Sequence, residues 1–347
     1  MNLVSTRYAF TSAYLKGEEA RIITSEHVNG MFQRASTIPE ALDIIRDTDI
    51  GEYLTGQPVK TFDHAEPCLW QYLGACIERL ERFKIPSDMA RMLELYREKY
   101  DVGNIKILLR CIAMHGVSGT VPLGRLHDLD FIGVLLKADS VEILSDSLTQ
   151  CALGEYARCL EDLREKDIRA TLECELCLDR HYLNRMRAAL ETMDDGDILA
   201  KAFGIMIDLA NLQGIIRSVV TERRGLAGDF ILEGGHMLTD ELLREAASLK
   251  MNEIAGRLDH TEYQPLLQEI TRTYEKENAV PVIDRVMEKH KYRLLRGILS
   301  ARALSPCTLL WYLIVKEREI RNLRIILKSI ADGIAASDIR DYLVMAA

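Results

Sequence analysis

The chain has 347 residues, 48% of them hydrophobic and 28% charged, with a formal net charge of -9. That length suffices for a sizeable core and, by size alone, for two or three domains. The acidic balance opposes a nucleic-acid partner, whose binding rests on Lys and Arg displacing counterions from phosphates. Aromatic residues make up only 6%, so Leu, Ile, Met and Ala dominate the apolar set. With eight prolines and no sustained period-two alternation, the pattern predicts an all-α protein.

The opening residues lack the charged start, apolar middle and small-residue cleavage site of a signal peptide. The longest uninterrupted apolar run is LLWYLIV at 309–315, far short of the roughly 20 residues a membrane span needs. The expectation is therefore a chain that neither is secreted by that route nor crosses a membrane. Its eight cysteines are then expected as reduced thiols rather than a disulfide framework.

In chain order, RYAFTSAYLKGEEARII (7–23) reads as a first helix and TIPEALDIIRDTD (37–49) as a second, with Thr37 and Glu40 at capping spacing. DVGNIKILLR (101–110) is an amphipathic helix carrying one Asn. The Gly-containing stretch GVSGTVPLG (116–124) follows as a joint, and then DSVEILSDSLTQC (139–151), with Asp139 and Glu142 at the same capping spacing as Thr37 and Glu40. Next come a basic run, RHYLNRMR (180–187), and an acidic run, MDDGD (193–197), read as an inter-helix turn. DLANLQGIIR (208–217) then rewrites the Asn helix, and RGLAGDFILEGG (224–235) is a second joint. KMNEIAGRLDHTE (250–262) repeats the capped helix, keeping Glu253 but losing the cap at Lys250. A second basic run, KHKYRLLR (289–296), precedes EIRNLRIILK (319–328), the third Asn helix. Basic runs are usually solvated helix faces, and these two are also candidates for an acidic partner surface.

The three copies share more than Asn104, Asn211 and Asn322, which stand 107 and 111 positions apart. An acid lies three before each (Asp101, Asp208, Glu319) and a base six after (Arg110, Arg217, Lys328). Val102, Leu209 and Ile320 begin a stripe that continues at equivalent places to Ile112, Val219 and Ile330. Offsets of 0, 3, 7 and 10 put four side chains on one helical face that must be buried. The nine polar residues are expected to be structural: the acid holding the Asn, and the base joining a neighbouring unit, since polar residues in a helix seam commonly fix register.

The repeats mark three helical units, 1–116, 117–226 and 227–347. They are far longer than the 20 to 50 residues of solenoid repeats, and the apolar ending DYLVMAA is no polar solenoid cap. Three such units closing head-to-tail form a ring, a pseudo-threefold body around a central hollow. No GxxxxGK[ST], GxGxxG, GxSxG or HExxH motif is present, which argues against the commonest nucleotide, hydrolase and metalloprotease chemistries. Cys174, Cys177 and His181 share a helical face, yet a structural zinc wants a fourth ligand, and no second Cys pair stands at metal spacing. No metal, cofactor, small-molecule substrate or catalytic residue is expected.

YLIVKEREIRNLRIIL (312–327) resembles the signature near the end of the C-subunit family of archaeal and bacterial A/V-type ATP synthases, related to the d component of the vacuolar ATPase. LDIIRDTDIGEYL (42–54) resembles its Thr-Asp-Tyr-Gly element, with Ile50 in the Tyr place, and the two earlier Asn helices match in order. Ser12 and Tyr14 depart from the more basic first helix of the family. The resemblance implies an all-α funnel of three similar domains. It further implies a non-catalytic central-stalk component on the cytoplasmic side of the membrane, with the central shaft and the membrane rotor ring as partners. A helical scaffold unrelated to rotary ATPases is the alternative that composition alone would also fit.

Overall fold

The computed structural model describes residues 6–114, 119–137, 140–161, 168–222 and 231–345, and within them every regular element is a helix. The first run comprises α1 (Ala9–Glu19), α2 (Ser25–Arg34), α3 (Ile38–Ile44), α4 (Asp49–Thr55), α5 (Phe62–Arg82) and α6 (Ser87–Met114). The second has α7 (Arg125–Asp128), α8 (Ile132–Leu135), α9 (Val141–Gln150), α10 (Gly154–Ala157), α11 (Ile168–Leu190) and α12 (Gly196–Val220). The third has α13 (Asp240–Ser248), α14 (Met251–Arg257), α15 (Gln264–Glu277), α16 (Pro281–Leu299), α17 (Cys307–Asp332) and α18 (Ala336–Ile339). In each run short helices precede two long ones, the second of which carries the Asn.

The short helices start at side-chain caps. Thr24, Thr37, Thr48 and Thr61 each accept a backbone N–H from the first turn of the helix they open, an interaction worth about 1 kcal/mol. Before α9 the cap is Ser140, accepting from the Ile143 N–H, rather than Asp139, which lies outside the described residues. At α14, where the side-chain cap is lost, the Lys250 N–H still donates to the Glu253 carboxylate at 2.8 Å, which is half of a capping box. MDDGD forms the turn between α11 and α12, with Asp195 in the left-handed region at φ 53.

Long-helix pairings repeat: α6 lies along α11, α12 along α16, and α17 along α5. One apolar core runs through all of them, from Tyr8 to Val344. Of the twelve stripe positions, all are buried except Ile330, which is half-buried. Among the described residues one helix, α12, is long and apolar enough to cross a membrane, at a mean hydropathy of 1.4 over its most apolar window. Most of that window is buried between neighbours, and a helix apolar all round is what a core position requires; buried Asp208 and Asn211 interrupt it.

The cysteines depart from the expectation of reduced thiols throughout. Cys159 and Cys177 form a disulfide, their Cα atoms 5.7 Å apart, because the 3₁₀ turn after α10 packs against α11; their spacing of 18 residues in sequence carries no sign of that contact. The other six are free. Cys174 is buried, with its thiol pushed up to about 12 by burial, and His181 faces Glu155 at 2.9 Å, so the three residues weighed as metal ligands do not converge.

Leu212 and Leu323, at the same place in two Asn helices, are both 0% exposed. Leu212→Ala and Leu323→Ala should each destabilise by about 2–5 kcal/mol in urea unfolding. A neutral result at either one would mean that the two repeats do not share a buried environment.

Candidate functional site

A carboxamide carries the same donor and acceptor as a peptide group, and the three Asn residues use theirs against backbone. Asn104 Nδ2 donates to the carbonyls of Val121 (2.9 Å) and Leu123 (3.2 Å), while the Val121 N–H donates back to Oδ1 at 2.8 Å. Asn211 makes the same two-way contact with Leu232, at 2.8 Å in both directions. Asn322 makes it with Val344, at 2.8 and 3.0 Å. Each long helix thereby clamps an extended segment about 20 residues further on. Asp at these positions has no donor, which is why the repeat writes Asn.

The acids do not hold the Asn side chains, as expected from spacing. They accept backbone N–H groups at the start of the next short helices. Asp101 takes those of Arg125 and Leu126, both at 3.0 Å. Asp208 takes His236 (3.0 Å), Met237 (2.8 Å) and the Tyr263 hydroxyl (2.7 Å). Glu319 takes the N–H of Ile23 at 2.7 Å, at the other end of the chain and next to the cap of α2. Burial pushes the Asp101 carboxyl up to about 6 against these N–H groups, and raises Asp208 and Glu319 as well. Gly124, at φ +95, and Gly235 sit so close to Asp101 and Asp208 that a Cβ would overlap the carboxylates. The glycines read as joints are thus needed for close approach.

The basic members diverge. Arg110 pairs with Glu175 on α11 at 2.6 Å, and Arg217 with Asp284 on α16, each bridging to the next run. Lys328 instead pairs with Asp332 on its own helix at 2.9 Å.

A buried charge network lies where α17 meets α4 and α5. Lys316, 0% exposed, lies 3.3 Å from Asp49 and 3.5 Å from Glu319. Arg79 grips Asp49 with two nitrogens at 3.0 and 2.8 Å, and the Tyr72 hydroxyl donates to it at 2.6 Å. Burial alone would raise the Asp49 carboxyl, but Arg79, Tyr72 and Lys316 outweigh it and hold the group well below the usual carboxylate range. The Thr-Asp-x-Gly element now has a cause at each residue. Thr48 caps α4, Asp49 is the buried counter-charge, Ile50 is core, and Gly51 lies where a Cβ would overlap the Ile45 carbonyl.

Sequence reasoning missed this network, although a signal existed. Asp49, Tyr156 and Tyr263 stand 107 residues apart, and each contacts a buried charge on an Asn helix: Lys316, Glu98 and Asp208 respectively. Arg185 joins Glu98 at 3.2 Å. That uses part of the RHYLNRMR run internally, and Arg180 likewise lies 3.8 Å from Glu233.

Beside this network a hollow of about 740 Å³ opens between the long helices. Trp70 of α5, Tyr100 of α6, Met206 of α12, Leu295 of α16 and Ile314 of α17 supply apolar wall. Its charges include Lys99, Lys291, Arg318, Arg321, Arg324 and Lys328 against Glu288 and Glu317, so the wall is basic in an acidic chain. Lys291, Tyr292 and Leu295 of the KHKYRLLR run line it.

Polar residues spent on joining helices, around a hollow with a basic and apolar wall, define an all-helical protein built from repeated joints. More particularly, residues 11–342 match the model of the ATP synthase (C/AC39) subunit family, and the chain belongs to that family. Among its curated relatives is the C component of the A-type ATP synthase of Methanocaldococcus jannaschii, 24% identical over 97% of this chain and 86% of the relative. The corresponding proteins of Desulfurococcus sp. and Thermococcus kodakarensis are 27% and 25% identical, each over 97% of this chain and 90% of theirs.

Two predictions test the joints. Asn211→Asp, nearly isosteric, should destabilise by about 1–3 kcal/mol, because a carboxylate cannot donate to the Leu232 carbonyl; chemical unfolding checks it. Asp49→Asn leaves Lys316 buried without its main counter-charge and should cost about 3–5 kcal/mol at neutral pH. A carboxyl whose folded pKa is depressed contributes stability above its unfolded value near 3.9 and loses it as pH falls further. Acid destabilisation below about pH 4 should therefore be shallower in Asp49→Asn than in the wild type, measured by unfolding at a series of pH values.

Proposed function

We propose that this chain is the non-catalytic central-stalk component of an A/V-type ATP synthase, a socket joining the central shaft to the membrane ion-translocating ring. Its three units, 1–116, 117–226 and 227–347, close head-to-tail with pseudo-threefold symmetry as a funnel. The hollow receives the end of the shaft, and the opposite side rests on the ring at the cytoplasmic face of the membrane.

The observation that carries this reading is the contact between the ends of the chain. Glu319 of the last Asn helix takes the Ile23 N–H of the first unit, as Asp101 and Asp208 take those opening the second and third. The packing of α17 on α5 supports the same closure, since it repeats the pairings of α6 with α11 and α12 with α16. A ring closed this way presents helices of all three units to one hollow, and a coaxial shaft calls for a seat with approximate rotational symmetry. Torque is carried by rigid packed helices locked at their joints by buried, hydrogen-bonded groups.

A coupling part holds neither motor, which sets the test. Membranes stripped of this chain should keep the ATP hydrolysis of the catalytic head but lose ATP-driven ion uptake. Adding back the purified chain should restore uptake in proportion to the complexes rebuilt. ATPase rate and ion uptake are measured on the same vesicles, and persistent uptake without the chain would overturn the proposal.

A further inference from the structure

The hollow contains one buried guanidinium, that of Arg318, whose surroundings leave part of its hydrogen-bonding capacity unused. Arg318 is 8% exposed, yet among the described residues no carboxylate lies within 4 Å of its nitrogens. A guanidinium has five N–H donors. Here one nitrogen donates to the Tyr292 hydroxyl at 2.5 Å and the guanidinium carbon lies 4.5 Å from the centre of the same ring, while Nε is buried without a hydrogen-bond partner. Neighbouring wall cations are satisfied: Lys99 by Glu317, Lys291 by Glu288, Arg324 by Glu66 and Lys328 by Asp332. Glu319, the adjacent acid on the same helix, is engaged by Lys316 and Ile23.

Arg321 follows three residues later, on the same helical face, and donates to the Tyr342 carbonyl at 3.2 Å. Burial holds the Arg318 guanidinium below the usual arginine range, outweighing the favourable fields of Tyr292 and Glu319, and Arg296 adds a smaller repulsion. Burying a charge with hydrogen bonds left unmade is costly, and such groups are normally matched in full.

We infer that Arg318, with Arg321 beside it, is the anchoring site of the hollow for a carboxylate on an acidic side chain at the inserted end of the shaft. This rests on the socket reading above. A protein carboxylate fits better than a free anion because Trp70, Tyr100, Leu295 and Ile314 line the same hollow. A helix end bearing one acid covers that apolar wall and shields the ion pair from water, whereas a small anion leaves it bare. In low dielectric a bidentate Arg–carboxylate pair is strong and fixes orientation, which a seat that must not slip requires. A buried pair of this kind acts on dissociation more than on encounter.

The test uses the full chain and the purified shaft subcomplex of the same synthase. Arg318→Met should weaken shaft binding about 30-fold, equivalent to about 2 kcal/mol at 1.4 kcal/mol per tenfold, with most of the change in the dissociation rate. The melting temperature of the isolated chain should be unchanged or higher, because a buried charge whose partners only partly offset its desolvation has been removed. Arg318→Gln, which keeps a donor for Tyr292, gives the same measurement if the Met variant does not fold. One Asp or Glu replacement at the shaft end should reproduce the loss and be non-additive with Arg318→Met in a double-mutant cycle.

Unchanged binding by a folded Arg318 variant would overturn the inference, as would the absence of any coupled shaft acid. Inorganic phosphate raising the melting temperature of the wild type only, with shaft affinity equal in both, would also overturn it in favour of a free-anion site. Failure of the wild-type chain to bind the shaft would instead overturn the socket reading itself.

Discussion

An amide side chain facing a peptide group is the interaction on which the rest of this structure depends. A long helix has no spare backbone hydrogen bonds along its length with which to hold an irregular segment. One buried Asn supplies a donor and an acceptor in peptide geometry, so an extended strand of chain can be seated against the helix flank. Val121, Leu232 and Val344 are seated this way. One turn earlier on the same face, an acid fixes where the next helix begins. Together the two groups set both position and direction of the connection, which packing of Leu and Ile surfaces alone leaves free to slide.

Buried charge is concentrated at the same places. Lys316 with Asp49, Glu98 with Arg185 and Asp208 with Tyr263 all sit at contacts between an Asn helix and the run that follows it in the cycle of contacts. Buried ion pairs and charged hydrogen bonds of this kind contribute little net stability over an apolar substitute, but they strongly penalise any arrangement that separates them. They specify which helix meets which. The contact between α17 and the N-terminal helices has the densest set, which accords with its being made between the two ends of the chain, where no connecting loop holds the partners together.

The basic wall of the hollow is the counterpart of that order. Once Asn104, Asn211, Asn322 and their acids are consumed by joints, the side chains that line the hollow include Trp70, Tyr100, Ile314 and more arginines and lysines than acids, the latter being Glu288 and Glu317. Apolar surface with cations on it is suited to an acidic protein segment and poorly suited to phosphate backbones, whose binding needs an extended basic face. In a member of the ATP synthase (C/AC39) subunit family, this wall is what remains after the fold has used its own polar groups.

The sequence by itself determined the helical class, the three Asn helices, their buried stripes and the family. Period 3.6, offsets of 0, 3, 7 and 10, and the run KEREIRNL are local patterns, and local patterns survive in one dimension. It also singled out the basic run that holds Lys291, and the structure places Lys291 on the wall of the hollow. The tertiary structure alone decided that the acids cap the following helices rather than hold Asn, and that Lys328 stays on its own helix while Arg110 and Arg217 reach across. It alone brought Cys159 to Cys177, Lys316 to Asp49, and Glu319 to Ile23 across 296 residues. Partners that far apart leave no periodic trace, because their meeting is set by the crossing of whole helices rather than by the spacing of residues on one.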